Sequence, residues 1–253
     1  MCLIAFQYRT FAAAPILLVA NREEYYGRPA APPRIQPGSP RVLCGLDHRA
    51  GGTWLGVNEY GLVVAVTNRL SSYPPGEPRS RGLLCRDLLN RANASDAVDV
   101  AQRELATGRY AGANFLCADP GNAFLIQHAD SSDIVPLSPG LHLFSNTALD
   151  DRADARQCFA RFELASHFPN SASAFCEVAG RIWRLPADAH GNGGVVLRGE
   201  DRGTVSSTIL LLAANREESV YRYADGPPDT TGYADLSSLA RELFASGRSG
   251  QTA

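Results

Sequence analysis

Lysine is missing altogether: all 24 basic residues are arginines. Schiff-base, lysine-base and P-loop chemistry each need a lysine amine and are excluded. Long apolar runs are missing too. The longest, Thr208-Ile-Leu-Leu-Leu-Ala-Ala214, is strand-sized, so no membrane span is expected. Charge of either sign is not in excess: net charge is −2 and the isoelectric point about 6.2. That balance gives no electrostatic footprint for nucleic acid. The opening residues carry no basic segment before their short apolar stretch, so no secretory signal is expected. The 6 cysteines form no CxxC or CxxCH, and the 5 histidines no HxxxH or HxH. Metal ligation is therefore not expected. Cys44, Cys85, Cys117, Cys158 and Cys176 read as reduced, structural thiols of a cytoplasmic protein.

What is present suits one domain over 1–253, with a small, polar tail from Gly247 expected to be mobile. Short apolar strands are expected at 2–8 and 16–20, followed by a Pro-rich loop from Asn21 to about Pro40. Further strands fall at 41–45, 53–57 and 62–68, the last two joined by the turn Asn58-Glu-Tyr-Gly61. Ser80 and Ser95 are candidate caps for helices ending near Arg91 and Thr107. A hairpin at 114–128 and a strand at 141–146 follow. Two helices come next, at 150–166 and 171–183, with Asp150 and Ser171 as caps. Strands at 206–214 and 219–224 and a helix at 235–246 complete the order. Long strand runs separated by helix pairs predict an α+β fold of layered sheets, not an alternating βαβ wind. The motif Ala20-Asn-Arg-Glu-Glu24 returns as Ala214-Asn-Arg-Glu-Glu218, too short an echo to establish a repeat.

Cys2 follows the initiator Met1 directly. A small residue at that place permits removal of Met1, which leaves a thiol and a free α-amine on one residue. The amine, with a reference pKa of about 7.7–8.0, can take the thiol proton near neutrality. The thiolate is the reactive species. The bland reading is a buried cysteine opening a strand, with Met1 retained.

The blocks Met1-Cys-Leu-Ile4, Ala20-Asn-Arg-Glu-Glu24, Gly51-Gly-Thr-Trp-Leu-Gly56, Val57-Asn-Glu-Tyr-Gly-Leu62, Thr67-Asn-Arg69, Ser80-Arg-Gly82, Asn114-Phe115 and Ser145-Asn146 resemble, in order, those of the NRDE family, the transport and Golgi organisation 2-like proteins. The resemblance implies an N-terminal-nucleophile hydrolase-like four-layer αββα sandwich with antiparallel sheets, related to cysteine amidohydrolases of the penicillin V acylase and bile-salt hydrolase type. On that footing Cys2 matches the nucleophile, Arg22 a strand-end arginine, and Asn68 and Asn146 oxyanion donors. Glu23, Glu24, Trp54 and Arg69 are candidates for binding substrate or orienting the site, with Glu23 or Glu24 orienting Arg22 or the N-terminal amine. Two departures stand out. Glu23 replaces the family's Asp, and Val205, in Gly203-Thr-Val-Ser-Ser-Thr208, stands where the family tends to carry an Arg.

Each of these residues also has a structural reading. Arg22 can be one half of a solvated ion pair, a contribution of about 0–1 kcal/mol. Asn68 and Asn146 can be turn residues, and Trp54 part of the core. The functional expectation is hydrolysis of an amide or thioester of a small acyl metabolite, with no cofactor required. Two rival readings are a non-catalytic carrier of haem or a lipid-like metabolite, as the resemblance implies, and a redox-sensing thiol at Cys2. Oligomeric state is not legible in the sequence.

Overall fold

Burial on both faces organises the first strands, with Leu3–Tyr8 and Ile16–Glu23 buried throughout. The computed structural model describes residues 2–71, 76–190 and 192–245; Met1 and the tail expected from Gly247 lie outside them. Among the described residues no helix is long and apolar enough to cross a membrane. Strands β1 (Leu3–Phe11) and β2 (Ala14–Tyr25) form an antiparallel pair with Leu3 opposite Asn21 and Tyr8 opposite Ile16. β2 thus runs straight through the Ala20–Glu24 motif instead of ending before it. The chain divides into two compact units: residues up to Gly27 with Pro139–Ser237, and Arg28–Ser138 with the residues from Ser238.

The second unit follows β2 in sequence. Its seven-stranded antiparallel sheet is a simple meander: β3 (Ala30–Gln36), β4 (Val42–Asp47), β5 (Leu55–Asn58), β6 (Val63–Asn68), β7 (Ala113–Ala118), β8 (Ala123–His128) and β9 (Ser132–Pro136), in that spatial order. Helices α1 (Arg81–Leu88) and α2 (Ala94–Leu105) cover one face, where Leu84, Leu88, Ala97, Val98 and Ala101 bury against Val64, Val66, Phe115 and Cys117. The Pro-rich loop is therefore a strand. Pro32 and Pro33 are tolerated because β3 is an edge strand whose register slips between Ala31 and Arg34, where ladder donors are not needed. β9, the opposite edge, was not anticipated because its side chains are mostly exposed and show no apolar alternation. Ser80 stands at the N-cap of α1 without a side-chain cap bond, and α2 is capped by Asn93, not Ser95; Asn93 Oδ1 accepts from the Asp96 N–H at 2.9 Å.

In this unit two of the family-like blocks touch. The Thr53 N–H donates to the Gly82 carbonyl at 3.0 Å, and a Cβ on Gly52 would lie 2.2 Å from the Gly82 carbonyl carbon. Gly-Gly-Thr-Trp and Ser-Arg-Gly are thus the two sides of one backbone-to-backbone approach. Trp54 is half-buried, packed against the helix-side core and lying over Gly45, where a Cβ would sit 2.6 Å from its ring.

The chain then returns to the first unit. β10 (Gly140–Phe144) pairs with β1; α3 (Ala155–Ser166) and α4 (Ala172–Ile182) follow; β11 (Arg202–Leu212) pairs with β2, and β12 (Val220–Ala224) and β13 (Ala234–Asp235) complete a six-stranded sheet in the order β10-β1-β2-β11-β12-β13. Helix α5 (Ser237–Ala245) ends the described chain. Leu3, Ala5, Leu17, Val19, Leu143, Ile209 and Leu211 bury against Leu164, Phe175, Ala179 and Ile182 of the helix pair. Because a strand alternates its side chains, Ile4, Phe6, Tyr8, Ile16 and Leu18 point to the other face of the same sheet, and they are buried too.

α3 begins five residues later than expected. Asp154, not Asp150, is its cap, accepting from the Arg156 and Gln157 N–H groups at 2.9 and 3.1 Å. Asp150 has φ +53° and instead accepts from the Leu143 N–H at 2.8 Å. Ser171 caps α4 as expected, accepting from the Ala174 N–H at 3.1 Å. The second copy of the Asn-Arg-Glu-Glu echo is a 3₁₀ turn, Arg216–Glu218, whereas the first is extended strand, so the echo is no structural repeat. Cys44, Cys85, Cys117 and Cys176 are buried free thiols, but Cys158 is exposed on α3 and has no packing role to match the structural reading.

A methyl group at position 52 would have to displace backbone, not a flexible side-chain tip. Gly52→Ala should therefore destabilise the protein by about 1–3 kcal/mol, read as a lowered thermal midpoint; an unchanged midpoint would contradict this contact.

Candidate active site

Cys2 sits immediately before β1, the strand between β2 and β10. The register Leu3 opposite Asn21, carried one residue further, sets Cys2 opposite Arg22. On the other side Ile4 lies opposite Phe144, the last residue of β10, and Asn146 follows two residues beyond that end. Paired positions in an antiparallel sheet share a face. Cys2 and Arg22 therefore stand together at the strand ends, on the face opposite α3 and α4. Ser206, paired with Arg22 across β2 and β11, extends this row.

Glu23 follows the opposite parity. Its side chain turns to the helix face, is 4% exposed, and pairs with a residue sequence reasoning did not single out. Arg156, in the first turn of α3, donates from Nη2 to Glu23 Oε1 at 3.1 Å and to the Val195 carbonyl at 3.1 Å. Thr204 Oγ1 donates to the same Glu23 oxygen at 3.2 Å. The expectation that Glu23 orients Arg22 thus meets a geometric obstacle: neighbours along a strand point to opposite faces. Glu24 returns to the Arg22 side, with Oε2 4.0 Å from Arg22 Nη2.

A β-bulge makes this arrangement. Ser206 pairs with Arg22 and Thr204 with Glu23, leaving Val205 as the extra residue. Bulges re-aim side chains beside functional sites. Here the bulge turns the Thr204 hydroxyl onto the Glu23 carboxylate, and Val205, where the family tends to carry Arg, is half-buried. A cation reaches Glu23 from the helix instead. Asn21 holds the strand end in place from the same face as Glu23, its Nδ2 donating to the Trp183 carbonyl at 3.2 Å.

The electrostatics follow from burial. The Glu23 carboxyl is pushed up to about 7 by burial, with the Arg156 charge and the Thr204 and Arg156 hydrogen bonds pulling the other way. The Cys2 thiol is also raised, chiefly by burial and further by the Glu23 charge; the Glu23 backbone N–H and the Arg22 guanidinium oppose this. A thiol held in its protonated form needs a base to become a nucleophile.

Beside these strand ends lies a cavity of about 510 Å³, within the range of small-ligand sites. Glu23, Glu24 and Asn146 line it, with the first turn of α3, the 188–190 loop and the 197–203 segment; Cys2 and Arg22 do not. The Oδ1 atom of Asn146 is buried with no hydrogen-bond partner among the described residues.

The remaining sequence candidates belong to the second unit. Asn68 ends β6 with an exposed side chain. Arg69 follows it and donates to Asn114 Oδ1 at 3.2 Å. Trp54 lies in the glycine-lined contact described above. Arg156 could not be found from the sequence, because its one signal, a cap at Asp154, competes with Asp150, Asp151 and Ser145 as neighbouring cap-like residues.

The Glu23 value yields a directional prediction. A carboxyl whose folded-state value exceeds its unfolded one, about 4.3, binds its proton more tightly when folded. Its stabilising contribution is complete below about pH 4.3 and is lost as pH rises to about 7. The stability of the wild type relative to Glu23→Gln should therefore fall across that window, by up to about 3 kcal/mol. Urea denaturation of both proteins at about pH 4.5 and about pH 8 measures it; a difference that grows with pH would mean that the pair with Arg156 outweighs burial.

Comparisons with known proteins agree with this architecture. The model of the Transport and Golgi organisation 2 family matches residues 1–172. The Transport and Golgi organization protein 2 homolog of Bos taurus is 30% identical over 202 residues, spanning 75% of this chain and 68% of its own length. The Homo sapiens homolog is 29% identical over 201 residues, spanning 74% and 68%. Among solved structures, the chain is similar to an N-acylethanolamine-hydrolyzing acid amidase ortholog from Caenorhabditis elegans, with a TM-score of 0.54, 14% identity, and coverage of 83% of this chain and 92% of that one. A mutant conjugated bile acid hydrolase from Clostridium perfringens gives a TM-score of 0.51 at 10% identity, covering 95% and 94%. At such identities the likeness establishes the fold, α+β of N-terminal-nucleophile hydrolase type.

Proposed function

The chain belongs to the Transport and Golgi organisation 2 family, and from that premise we propose that it is a cysteine N-terminal-nucleophile hydrolase cleaving an amide or thioester of a small acyl metabolite. The observation that carries this reading is Cys2 at the head of β1, opposite Arg22 in the register with β2, with Asn146 two residues beyond the end of neighbouring β10. Once Met1 is removed, the α-amine of Cys2 takes the thiol proton as sulfur attacks the substrate carbonyl. The carbonyl π electrons move to oxygen, and the Nδ2 amide of Asn146 donates to the oxyanion. The ammonium then returns its proton to the leaving nitrogen or sulfur as that bond breaks, leaving an acyl-Cys2 thioester. Water, deprotonated by the same amine, attacks the thioester, and the sulfur leaves to be reprotonated.

Arg22 has a definite electrostatic part. Its charge favours the thiolate against burial and against ionised Glu23. The raised thiol value explains why the amine is required: without a base, too little thiolate forms near neutrality.

Mass spectrometry of the purified protein treated with a small acyl thioester tests the reading. Loss of Met1 and a single acyl group on Cys2 are expected, with no labelling in Cys2→Ala. A retained Met1 with an unreactive Cys2 would remove the hydrolase. Asn146→Ala should lower kcat about 10²-fold or more while leaving the acylation site unchanged. An unaltered kcat would take Asn146 out of the oxyanion role.

A further inference from the structure

Two adjacent serines of β11 meet opposite fates. Ser207, opposite Asn21, shares the helix-side face with Ile209, and its hydroxyl is fully used. It donates to the Ala20 carbonyl at 3.2 Å and meets the Tyr233 hydroxyl at 2.7 Å. Ser206, opposite Arg22, turns the other way, to the face on which Cys2 stands. It is 2% exposed, and its Oγ makes no hydrogen bond among the described residues. Tyr223 is opposite Thr208 and so shares this face. Its phenol neighbours Ser206 but stops short of hydrogen-bond geometry. Burial, helped by the Asp225 charge, pushes that phenol up to about 12 against the pull of Ser206 and Arg22, so it stays protonated.

A buried hydroxyl without a partner burdens the folded chain, because its bonds to water are lost and nothing replaces them. An alanine would fill the same space without that burden. The position of Ser206 gives the hydroxyl a use. Neighbouring strands lie about 4.8 Å apart, which puts Arg22 one spacing from Cys2 and Ser206 two, roughly 10 Å along the sheet. The order across this face is thiol, guanidinium, hydroxyl. Arg22 is matched by Glu24 at 4.0 Å, so a neutral acceptor suits the far end of the row better than an anion. Resting on the hydrolase reading above, we propose that Ser206 is a substrate-binding residue of the Cys2 site, its hydroxyl donating to a second carbonyl oxygen of the substrate. The substrate class is an acyl compound carrying that second carbonyl roughly two strand spacings from the one that Cys2 attacks. Binding the substrate then supplies the bond that the free protein lacks.

The experiment uses the full-length protein and two matched pairs of compounds. One pair is the N-acetylcysteamine thioesters of octanoic and 7-oxooctanoic acid, which place the second carbonyl on the acyl side. The other is the N-hexanoyl amides of hexylamine and 6-aminohexanamide, which place it on the leaving side. In one pair the dicarbonyl member should have the higher kcat/KM, by about three-fold or more. Ser206→Ala should raise KM for that member about three- to ten-fold, with kcat within about two-fold, and erase the preference. It should also leave the thermal midpoint unchanged or raised, because an unpaired buried hydroxyl has been removed. A structural hydroxyl gives the reverse, a lowered midpoint with an unmoved KM, and that result overturns the proposal. Equal treatment of both pairs by the wild type, or a preference that survives in Ser206→Ala, overturns it too. Acylation of Cys2 by the octanoyl thioester is followed by mass spectrometry in parallel. If Cys2 acylates but neither pair is distinguished, the Ser206 assignment fails alone. If Cys2 does not acylate, the hydrolase fails, and calorimetric titration of the same four compounds still decides the assignment. Tighter binding of a dicarbonyl member by the wild type, lost in Ser206→Ala, supports it; no such difference overturns it.

Discussion

A carboxylate buried at the end of a central strand must be given a cation, and in this fold Arg156 is that cation. Glu23 is almost wholly enclosed, and an unpaired charge there would be untenable. The first turn of α3, the bulge at Val205 and the Val195 carbonyl meet at this point. The pair therefore ties β2, β11 and α3 together directly beside the thiol. Glu23 has the reach to span from the strand to a helix.

Strand parity explains how one short motif does several things. In Ala20-Asn-Arg-Glu-Glu24 consecutive side chains alternate faces, so Asn21 and Glu23 stabilise the helix side while Arg22 joins Cys2 on the other. The motif is thus half scaffold and half site. The same logic makes Cys2 sensitive to Glu23 without a shared face: the influence runs through charge and through the Glu23 backbone N–H.

The glycines of the second unit have a different purpose. Gly52 and Gly82 allow two backbone segments to approach within a hydrogen bond, and Gly45 makes room for the Trp54 ring. The Gly-Gly-Thr-Trp block is therefore a packing solution, consistent with the structural reading of Trp54.

Much was decided by the sequence itself. Short apolar runs located most strands, and turn residues such as Asn58 to Gly61 located their connections, because both signals act over a few neighbouring residues. The position of Cys2 behind Met1 and the order of the family blocks were legible for the same reason: they are properties of the chain read linearly. The edge strands β3 and β9 were not, since edges lack the two-sided burial that writes a pattern into sequence. The caps at Asn93 and Asp154 were missed because several polar residues compete locally and only the packed helix selects among them. Tertiary structure alone decided that Glu23 meets Arg156, 133 residues away, that Val205 is a bulge, and that an acid-lined cavity opens beside Asn146. Each of these depends on register between strands distant in the chain, and register is set by the whole sheet closing at once.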